Sequence, residues 1–302
     1  TYREQRRVEQ IEPKVFAKVR ELAGVDAKYL DEIDKPLSVA PHNCHNTWAS
    51  YSGLFWVEPL RAAEAAFLRL IAGRYLQHLV DNPNSLIVRI VGLYSIESTP
   101  GGDCVHVAIL KAVLPLGSNR LDYLYSLRGV DSFVKRTGAL GQVLHDENFV
   151  QEQQVIMLPK EVHQRVCDAL HADTLFLREI EAVGYSFMLG ICKVTRRDTT
   201  MTDSTDHSAE SQLDDGIMGW RLNQEPVVYY LGIVQVFQRW TIEDVATYIL
   251  KKVITQPLVI QPPEQYARRF KTFLEGRVLA VDGDEAQNAL STTTRRQDRR
   301  TH

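Results

Sequence analysis

Residues 74–96 read RYLQHLVDNPNSLIVRIVGLYSI, and this stretch contains the end of a helix and the beginning of a strand. Upstream of it, apolar residues recur at helical spacing from Pro59 onward. The pattern stops at Asn82-Pro83, because the residue before a proline is disfavoured in helical geometry. We therefore predict a long helix that begins at Pro59 and ends just before Asn82.

The run that follows this helix has the character of a β-strand. Residues 86–96 are rich in β-branched and aromatic side chains, and residues 104–114 form a second such run. Between them lies TPGGD, residues 99–103, whose proline and glycines are typical of a turn. The sequence therefore predicts an antiparallel pair of strands.

The second half of the chain repeats this mixture of helix and strand. A helical pattern runs from Pro159 to about Ala182, and strand-like runs cover residues 185–194 and 227–237. Residues 198–216 separate those two strands. This segment is polar and acidic with almost no large apolar groups, so we predict that it is disordered.

Shorter signals complete the predicted elements. Residues 13–22 have helical spacing, and Thr241 with Asp244 resembles a capping box that starts another helix. Residues 1–10 are charged and are expected to be frayed, and the tail over residues 277–302 is expected to be disordered. Helices interspersed with mostly antiparallel strands give an α+β fold class.

The net charge of the chain does not indicate a particular class of partner. The chain has 302 residues and a formal net charge of -3, which favours neither nucleic acid nor a membrane surface, although the tail TTTRRQDRRTH is locally basic. No apolar run reaches the roughly 20 residues that span a bilayer, and the N-terminus does not resemble a secretory signal. We expect a cytoplasmic location, with the nucleus not excluded, and no nucleic-acid partner.

The four cysteines form no CxxC pair and match no zinc template. His42, Cys44 and His45 cluster in PHNCH, but a tetrahedral site needs a second ligand pair and the sequence offers none at a suitable spacing. We therefore predict no bound metal.

Six segments in order resemble the phosphatidylinositol phosphate kinase family. They are residues 74–96, YSLRG (125–129), LHDENF (144–149), GYSFMLGI (184–191), YYLGIVQVF (229–237) and PPEQYARRFKTFL (262–274). The resemblance implies a two-lobed kinase-like domain with a nucleotide cleft between its lobes. It places this domain at residues 11–276, with an N-lobe over about 11–115 and a C-lobe over about 116–276.

The positions that should carry charge in such a kinase are degenerate. The resemblance places the nucleotide-binding lysine near Glu58, and no lysine occurs between Lys35 and Lys111. A glutamate that faced phosphates would repel them. The loop expected to be rich in glycine reads APHNCHNTWASYS, without a glycine, so its backbone cannot close over phosphates as a glycine loop does.

Two aspartates are also replaced. The family's catalytic aspartate aligns with Gly184, which cannot accept a proton, and its metal-binding aspartate aligns with Gln235, whose neutral amide is a poor Mg²⁺ ligand. The segment after the second of these is rich in lysine in the family, but here it contains Glu243 and Asp244. We predict that the chain has no catalytic residues of the kinase type and needs no cofactor.

Other motif positions are retained or offer positive charge. The matches to the family motifs are Tyr125, Gly129, Asp146, Tyr185 and Ser186. For Tyr185 and Ser186 we favour a packing role in a strand. Candidate side chains for binding phosphate or lipid are Arg128, Lys135, Arg136, Lys251 and Lys252.

Three functions remain open from the sequence. The leading hypothesis is a pseudokinase that serves as a scaffold for protein partners. An alternative is an active phosphatidylinositol phosphate kinase that uses ATP and Mg²⁺, in which Asp131 or Asp146 replaces a lost aspartate and Lys111 replaces the lost lysine. The third is a phosphoinositide sensor without catalysis that contacts the membrane surface through Arg128 or Lys251.

Overall fold

A computed structural model shows helices packed on two mainly antiparallel sheets. It describes residues 7–26, 29, 31, 35, 37–39, 47–50, 52–97, 102–114, 121–130, 143–194, 216–253 and 261–281. The main helices in these ranges are α1 (Pro13–Leu22), α2 (Ala62–Asp81), α3 (Asp146–Gln151), α4 (Lys160–Glu179), α5 (Ile242–Val253) and α6 (Pro263–Glu275). This architecture confirms the predicted α+β class. No described helix combines the length and apolar composition needed to cross a membrane.

The first sheet is built from strands in the order β1-β5-β6-β4-β3-β2. They are β1 (Arg7–Gln10), β2 (Ser38–Val39), β3 (Trp48–Ala49), β4 (Phe55–Leu60), β5 (Ile90–Glu97) and β6 (Cys104–Lys111). The two runs on either side of TPGGD are β5 and β6, which pair antiparallel with Tyr94 opposite Val107. The predicted antiparallel pair is therefore confirmed.

The second sheet has the order β14-β8-β11-β12-β10-β7. Its strands are β7 (Tyr123–Leu127), β8 (Ile156–Pro159), β10 (Ser186–Lys193), β11 (Ile217–Trp220), β12 (Pro226–Val234) and β14 (Val278–Val281). A two-stranded ribbon joins β9 (Ala182–Val183) to β13 (Gln238–Arg239). The pair of β14 and β8 is parallel, whereas the other strand pairs described in this sheet are antiparallel.

The structure corrects the predicted start of the long helix. Pro59 lies inside β4, opposite Val107, and α2 begins at Ala62. The side chains of β4 are buried with the exception of that proline, so packing of the strand prevails over the preference of proline for a first helical turn. The helix start is closed by a capping box, in which the Arg61 backbone N–H donates to the Glu64 carboxylate at 2.8 Å.

Ordered structure extends further at both ends than the sequence predicts. In the segment 1–10, expected to be frayed, β1 pairs with β5 and Val8 lies opposite Ile96. In the tail 277–302, expected to be disordered, β14 pairs with β8. Short edge strands such as RVEQ have too few apolar residues to show the apolar–polar alternation by which a strand is predicted from sequence. Other parts of these predictions lie outside the described residues, namely residues 1–6, 198–215 and 282–302.

One apolar core connects both sheets and the helices around them. Several of its largest fully buried side chains are aromatic, among them Tyr75 on α2 and Tyr185 before β10. The Tyr75 hydroxyl donates to the Val88 carbonyl at 2.7 Å and accepts from the Ile90 N–H at 2.9 Å. The segment that leads into β5 is therefore fixed on α2 by hydrogen bonds as well as by packing.

A buried carboxylate ties the first half of the chain to the second. Asp173 on α4 is fully buried and accepts hydrogen bonds from the Ser85 hydroxyl at 2.7 Å and the Leu86 N–H at 2.6 Å. The His78 ring lies 2.6 Å from the same carboxylate and stacks on Phe176. Because these groups are buried, each depends on Asp173 for a partner that water cannot replace.

We expect Asp173→Ala to lower the free energy of unfolding by about 3 kcal/mol or more, because several buried groups lose their partner at once. Urea denaturation of the purified chain measures the change. Asp168→Ala is the matched control, because Asp168 lies on the same helix but is exposed and bonds only to Gln164 among the contacts described. Equal stability of the two variants would contradict a structural role for Asp173.

Candidate functional site

Three strand ends of the second sheet meet at one place. Leu127 at the end of β7 pairs with Phe187 on β10, and Ser186 at the start of β10 pairs with Val234 at the end of β12. Because antiparallel neighbours bring the end of one strand beside the start of the next, the residues just beyond these strands lie in one row. The row contains Arg128, Ser186 and Gln235.

The side chains in this row contact one another. The Arg128 guanidinium donates to the Gln235 amide oxygen at 3.1 Å, and the Ser186 hydroxyl lies 3.5 Å from the same oxygen. Gln235 adopts a left-handed backbone conformation with a φ of 63°, which turns the chain away from the sheet directly after β12. The row therefore has one positive charge and neutral oxygens, and it includes no carboxylate.

Gly184 lies just before this row, at a position that resists side chains. Its φ is 78°, a conformation that L-residues rarely adopt. A Cβ at this position would come 2.7 Å from the amide oxygen of Gln238 on β13. An aspartate at residue 184 would thus be strained in its backbone and would have to displace Gln238.

Tyr185 and Ser186 are both fully buried. The Tyr185 ring meets the rings of Tyr266 and Phe270 edge to face, at centroid distances of 4.6 and 4.9 Å. The Tyr266 hydroxyl donates to the Tyr185 carbonyl at 2.5 Å. These contacts are those of a packed strand anchored to α6.

Three further motif residues organise the loop after β7. Asp146 accepts hydrogen bonds from the backbone N–H groups of Arg128 at 3.0 Å and Gly129 at 2.7 Å. Burial raises the pKa of the Asp146 carboxyl, while these N–H donors act in the opposite direction. The Tyr125 hydroxyl donates to the Glu152 carboxylate at 2.7 Å. Asp146 therefore holds the loop, and its oxygens are engaged by the backbone.

Glu58 lies on β4, where the resemblance places a lysine. Its strand alternation puts it on the same face as Trp56 and Leu60, which belong to the main core, and only 7% of its surface is exposed. Burial, assisted by the nearby charge of Glu64, raises the pKa of Glu58 to about 8. Glu58 is therefore protonated at neutral pH and does not exert the electrostatic repulsion of phosphates that the sequence predicts.

The boundary between the two sheets is closed by main-chain hydrogen bonds. The Ile233 N–H donates to the Leu86 carbonyl at 2.7 Å, and the Val88 N–H donates to the Ile233 carbonyl at 2.9 Å. The cavity at this boundary measures only about 20 Å³. Its lining residues are Leu86, Ile87, Val88, Arg89, Lys111, Ala112, Val113 and Leu231. This volume suits about one water molecule and is far below that of a small-molecule site.

Among the remaining predicted residues, Lys111 has a described side chain and does not belong to the row. Lys111 ends β6, and its ammonium lies 3.4 Å from the Ala23 carbonyl. Lys251 and Lys252 belong to α5, but their side chains are outside the described part. Several other predicted residues lie wholly outside the described residues, namely His42, Cys44, His45, Asp131, Lys135 and Arg136. Within the described ranges, no group of three or more His, Cys, Asp or Glu side chains could hold a metal ion.

Two partners of the row, Gln238 and Arg269, are not among the residues predicted for the site. Gln238 fills the space above Gly184, and Arg269 donates to the Arg128 carbonyl at 3.3 Å. Arg269 is part of the YARRF motif that carries the resemblance, which is the one signal that could have identified it. Gln238 carries no comparable signal, because a lone glutamine after a strand is typical of an exposed turn.

We expect Glu58→Gln to stabilise the protein by an amount that grows with pH. In the unfolded chain Glu58 ionises near its ordinary pKa of 4.5, whereas the folded chain retains the proton up to about pH 8. The free energy of unfolding of the wild type therefore falls as the pH rises from 4.5 to about 8, by at most about 1.4 kcal/mol per pH unit. Thermal melting of both forms from pH 4 to pH 9 tests this. Glu21→Gln is the control, since Glu21 is exposed. A pH-independent difference between Glu58→Gln and the wild type would contradict the buried acid.

Comparison of the sequence with known proteins identifies the family of the chain. A family model described as Phosphatidylinositol-4-phosphate 5-Kinase matches residues 45–277, which is more than half of the chain. Phosphatidylinositol 4-phosphate 5-kinase type-1 alpha of Mus musculus is 22% identical over 261 residues, covering 73% of this chain and 47% of the mouse protein. Phosphatidylinositol 5-phosphate 4-kinase type-2 gamma of Danio rerio is 22% identical over 319 residues, covering 87% and 75%.

A third relative is more local. A probable phosphatidylinositol phosphate kinase of Dictyostelium discoideum is 27% identical over 174 residues, covering 54% of this chain and 24% of the relative. The chain thus spans about half the length of the mouse relative and about a quarter of the Dictyostelium one, and its identity to each is low. Because the family model covers more than half of the chain, including most strands of both sheets and the row of strand ends, the chain belongs to the phosphatidylinositol phosphate kinase family, as a divergent member.

Proposed function

We propose that this chain is a catalytically inactive member of its family that acts through contacts with other proteins. The observation that carries the proposal is the row at the ends of β7, β10 and β12. Transfer of a phosphoryl group needs positive charge and metal ligands around the phosphates. Gln235 and Ser186 offer neutral oxygens there, and Gly184 offers no side chain.

The surroundings of these residues support the proposal further. A replacement aspartate at residue 184 would be strained in its backbone, with a φ of 78°, and would require the Gln238 amide to move. The Gln235 oxygen already has the Arg128 guanidinium as a donor. This hydrogen bond satisfies the Gln235 oxygen without a metal ion.

The nucleotide side of the site supports the same conclusion. Glu58 is buried and protonated at neutral pH where a lysine is expected, so it adds no positive charge. The cavity at the boundary of the sheets has room for about one water. Among the described residues, the expected lysine is absent at residue 58 and the expected carboxylates are absent at residues 184 and 235, so these positions do not fit ATP with Mg²⁺.

We expect no rise in melting temperature with ATP and Mg²⁺, because a ligand stabilises a protein only when it binds the folded state. We also expect no transfer of radioactive phosphate from ATP to phosphatidylinositol phosphates. The mouse type-1 alpha relative, assayed in parallel, is the positive control.

Phosphate transfer by the wild type that disappears in Lys111→Ala would overturn the proposal. That result would instead indicate a kinase in which Lys111 replaces the missing lysine. A melting shift with ATP and Mg²⁺ but without transfer would contradict the nucleotide part of the proposal alone.

A groove on the surface supports a protein partner. A cavity of about 510 Å³ lies between α2 and the start of α5. Its apolar lining comes from Ala63, Ala66, Phe67, Leu70 and Phe237. Leu70 is 69% exposed, and Ile242, which lies between two lining residues, is 87% exposed. Apolar side chains so exposed beside a groove are typical of interaction sites.

The charge on the rim of this groove favours a partner segment that is apolar with basic flanks. Glu243 and Asp244 line the groove at positions that carry lysines in the family that the sequence resembles. The rim arginines are already paired, Arg61 with Glu64 at 2.6 Å and Arg239 with Glu181 at 2.6 Å. An acidic rim would repel an anionic membrane surface but attract lysines and arginines of a protein.

We expect Ile242→Asp to abolish co-purification of the partner that the wild-type chain retains in its native cells, because the substitution places a charge in the apolar contact. Leu222→Asp is the matched control, as Leu222 is 57% exposed but does not line the groove. Quantitative comparison of the proteins retained by each variant is the measurement. If Ile242→Asp retains the same proteins as Leu222→Asp, the groove is not the contact site.

A further inference from the structure

A second cavity lies on α6, on a surface that the proposed function does not use. It measures about 460 Å³, which is within the size range of small-molecule sites. It is lined by Gly129, Gln261, Gln265, Arg268, Arg269, Thr272, Phe273 and Arg277. Three arginines thus share one cavity, and the described residues that line it include no aspartate or glutamate.

Helical geometry explains why these groups converge. Gln265, Arg268, Arg269 and Thr272 follow the spacing i, i+3, i+4 and i+7, so they lie along one face of α6. Arg277 follows the helix directly and closes the end of the cavity. The buried face of α6 carries the aromatic residues, so the polar face is the one left for a ligand.

The acids of α6 are engaged away from this cavity. Glu264 pairs with Arg178 at 3.2 Å, and Glu275 pairs with Lys271 at 3.3 Å. Neither glutamate lines the cavity. In the described part of the chain, Arg268 and Arg277 have no acidic partner. No described carboxylate therefore forms an ion pair with either of these two arginines.

Two of the three guanidiniums are held in place. Arg277 donates to the Phe273 carbonyl at 3.1 Å, and its guanidinium carbon lies 3.9 Å from the centre of the Phe273 ring. Arg269 is partly buried and donates to the Arg128 carbonyl. Arg268 is exposed and can turn toward a ligand. Groups fixed before binding lose less freedom when the ligand arrives.

Asp146 is the buried carboxylate on the other side of the Gly129 loop. Its oxygens accept the backbone N–H groups of Arg128 and Gly129. These N–H groups are therefore already engaged by Asp146, which does not line the cavity. Asp146 interacts electrostatically with Arg269, so Arg268 and Arg277 are the less compensated positive charges among the described residues that line the cavity.

We propose that this cavity binds the phosphate groups of a small anion. Guanidinium groups form paired hydrogen bonds with phosphate oxygens, and three of them match more than one phosphate in charge. A soluble polyphosphate and a lipid phosphomonoester headgroup share this chemistry. The inference stands independently of whether the chain transfers phosphate, because none of the residues of the strand-end row lines the cavity.

The test is titration of the full chain with inorganic pyrophosphate, followed by calorimetry at constant ionic strength. We expect Arg268→Gln to weaken pyrophosphate binding about tenfold or more, the effect of one charged hydrogen bond. Arg277→Gln should weaken it similarly. Arg69→Gln is the matched control, since Arg69 is 70% exposed on α2, away from the cavity. Melting of each variant without ligand shows that its fold is retained.

A second arm distinguishes the sources of the phosphate. Vesicles of phosphatidylcholine with and without phosphatidic acid are sedimented with the same four proteins. The site is supported if the wild type binds pyrophosphate or phosphatidic acid, if Arg268→Gln and Arg277→Gln both lose this binding, and if Arg69→Gln keeps it. Whichever of the two probes binds identifies the source of the phosphate. Failure of both probes to bind, or loss in Arg69→Gln equal to that in Arg268→Gln, overturns it. Loss in Arg268→Gln without loss in Arg277→Gln overturns it too, because the ligand would then lie elsewhere.

Discussion

The hydrogen-bond register that joins β7, β10 and β12 determines which residues meet at the candidate site. With Leu127 opposite Phe187 and Ser186 opposite Val234, the strands place three particular positions in a row, whatever their side chains are. A slip of one residue would turn every inward side chain outward, so burial on both faces of these strands locks the register. The fold can thus retain the geometry of a kinase-like site while its chemistry changes.

The site has been filled by contacts that satisfy one another. The Gln235 amide receives the Arg128 guanidinium, and the Gln238 amide covers Gly184. A site prepared for a triphosphate and a metal holds like charges close together, and this costs stability until the ligand binds. Here that tension is absent, which fits our proposal that the surfaces of the domain, rather than the row of strand ends, carry its function.

Much of the fold follows from local patterns, and much of the site does not. The β5–β6 pair was predictable from its turn, and the Thr241–Asp244 capping box is present, with the Thr241 N–H bonded to Asp244 at 2.9 Å. The positions of Gly184 and Gln235 followed from the motifs. The role of Asp173 was not predictable, because its partners are about ninety positions away in sequence and a lone aspartate in a helix is typical of an exposed face.

The distribution of charge over the surface cannot be inferred from the composition of the chain. A net charge of -3 describes an average over surfaces of opposite character. The described lining of the α6 cavity has three arginines and no acid, whereas the groove at α5 carries Glu243 and Asp244 beside exposed apolar side chains. Surface charges act over about 10 Å in salt, so each surface presents its own field to a ligand or partner. These opposite charges accord with our proposals that an anion and a basic protein segment bind to different faces of the chain.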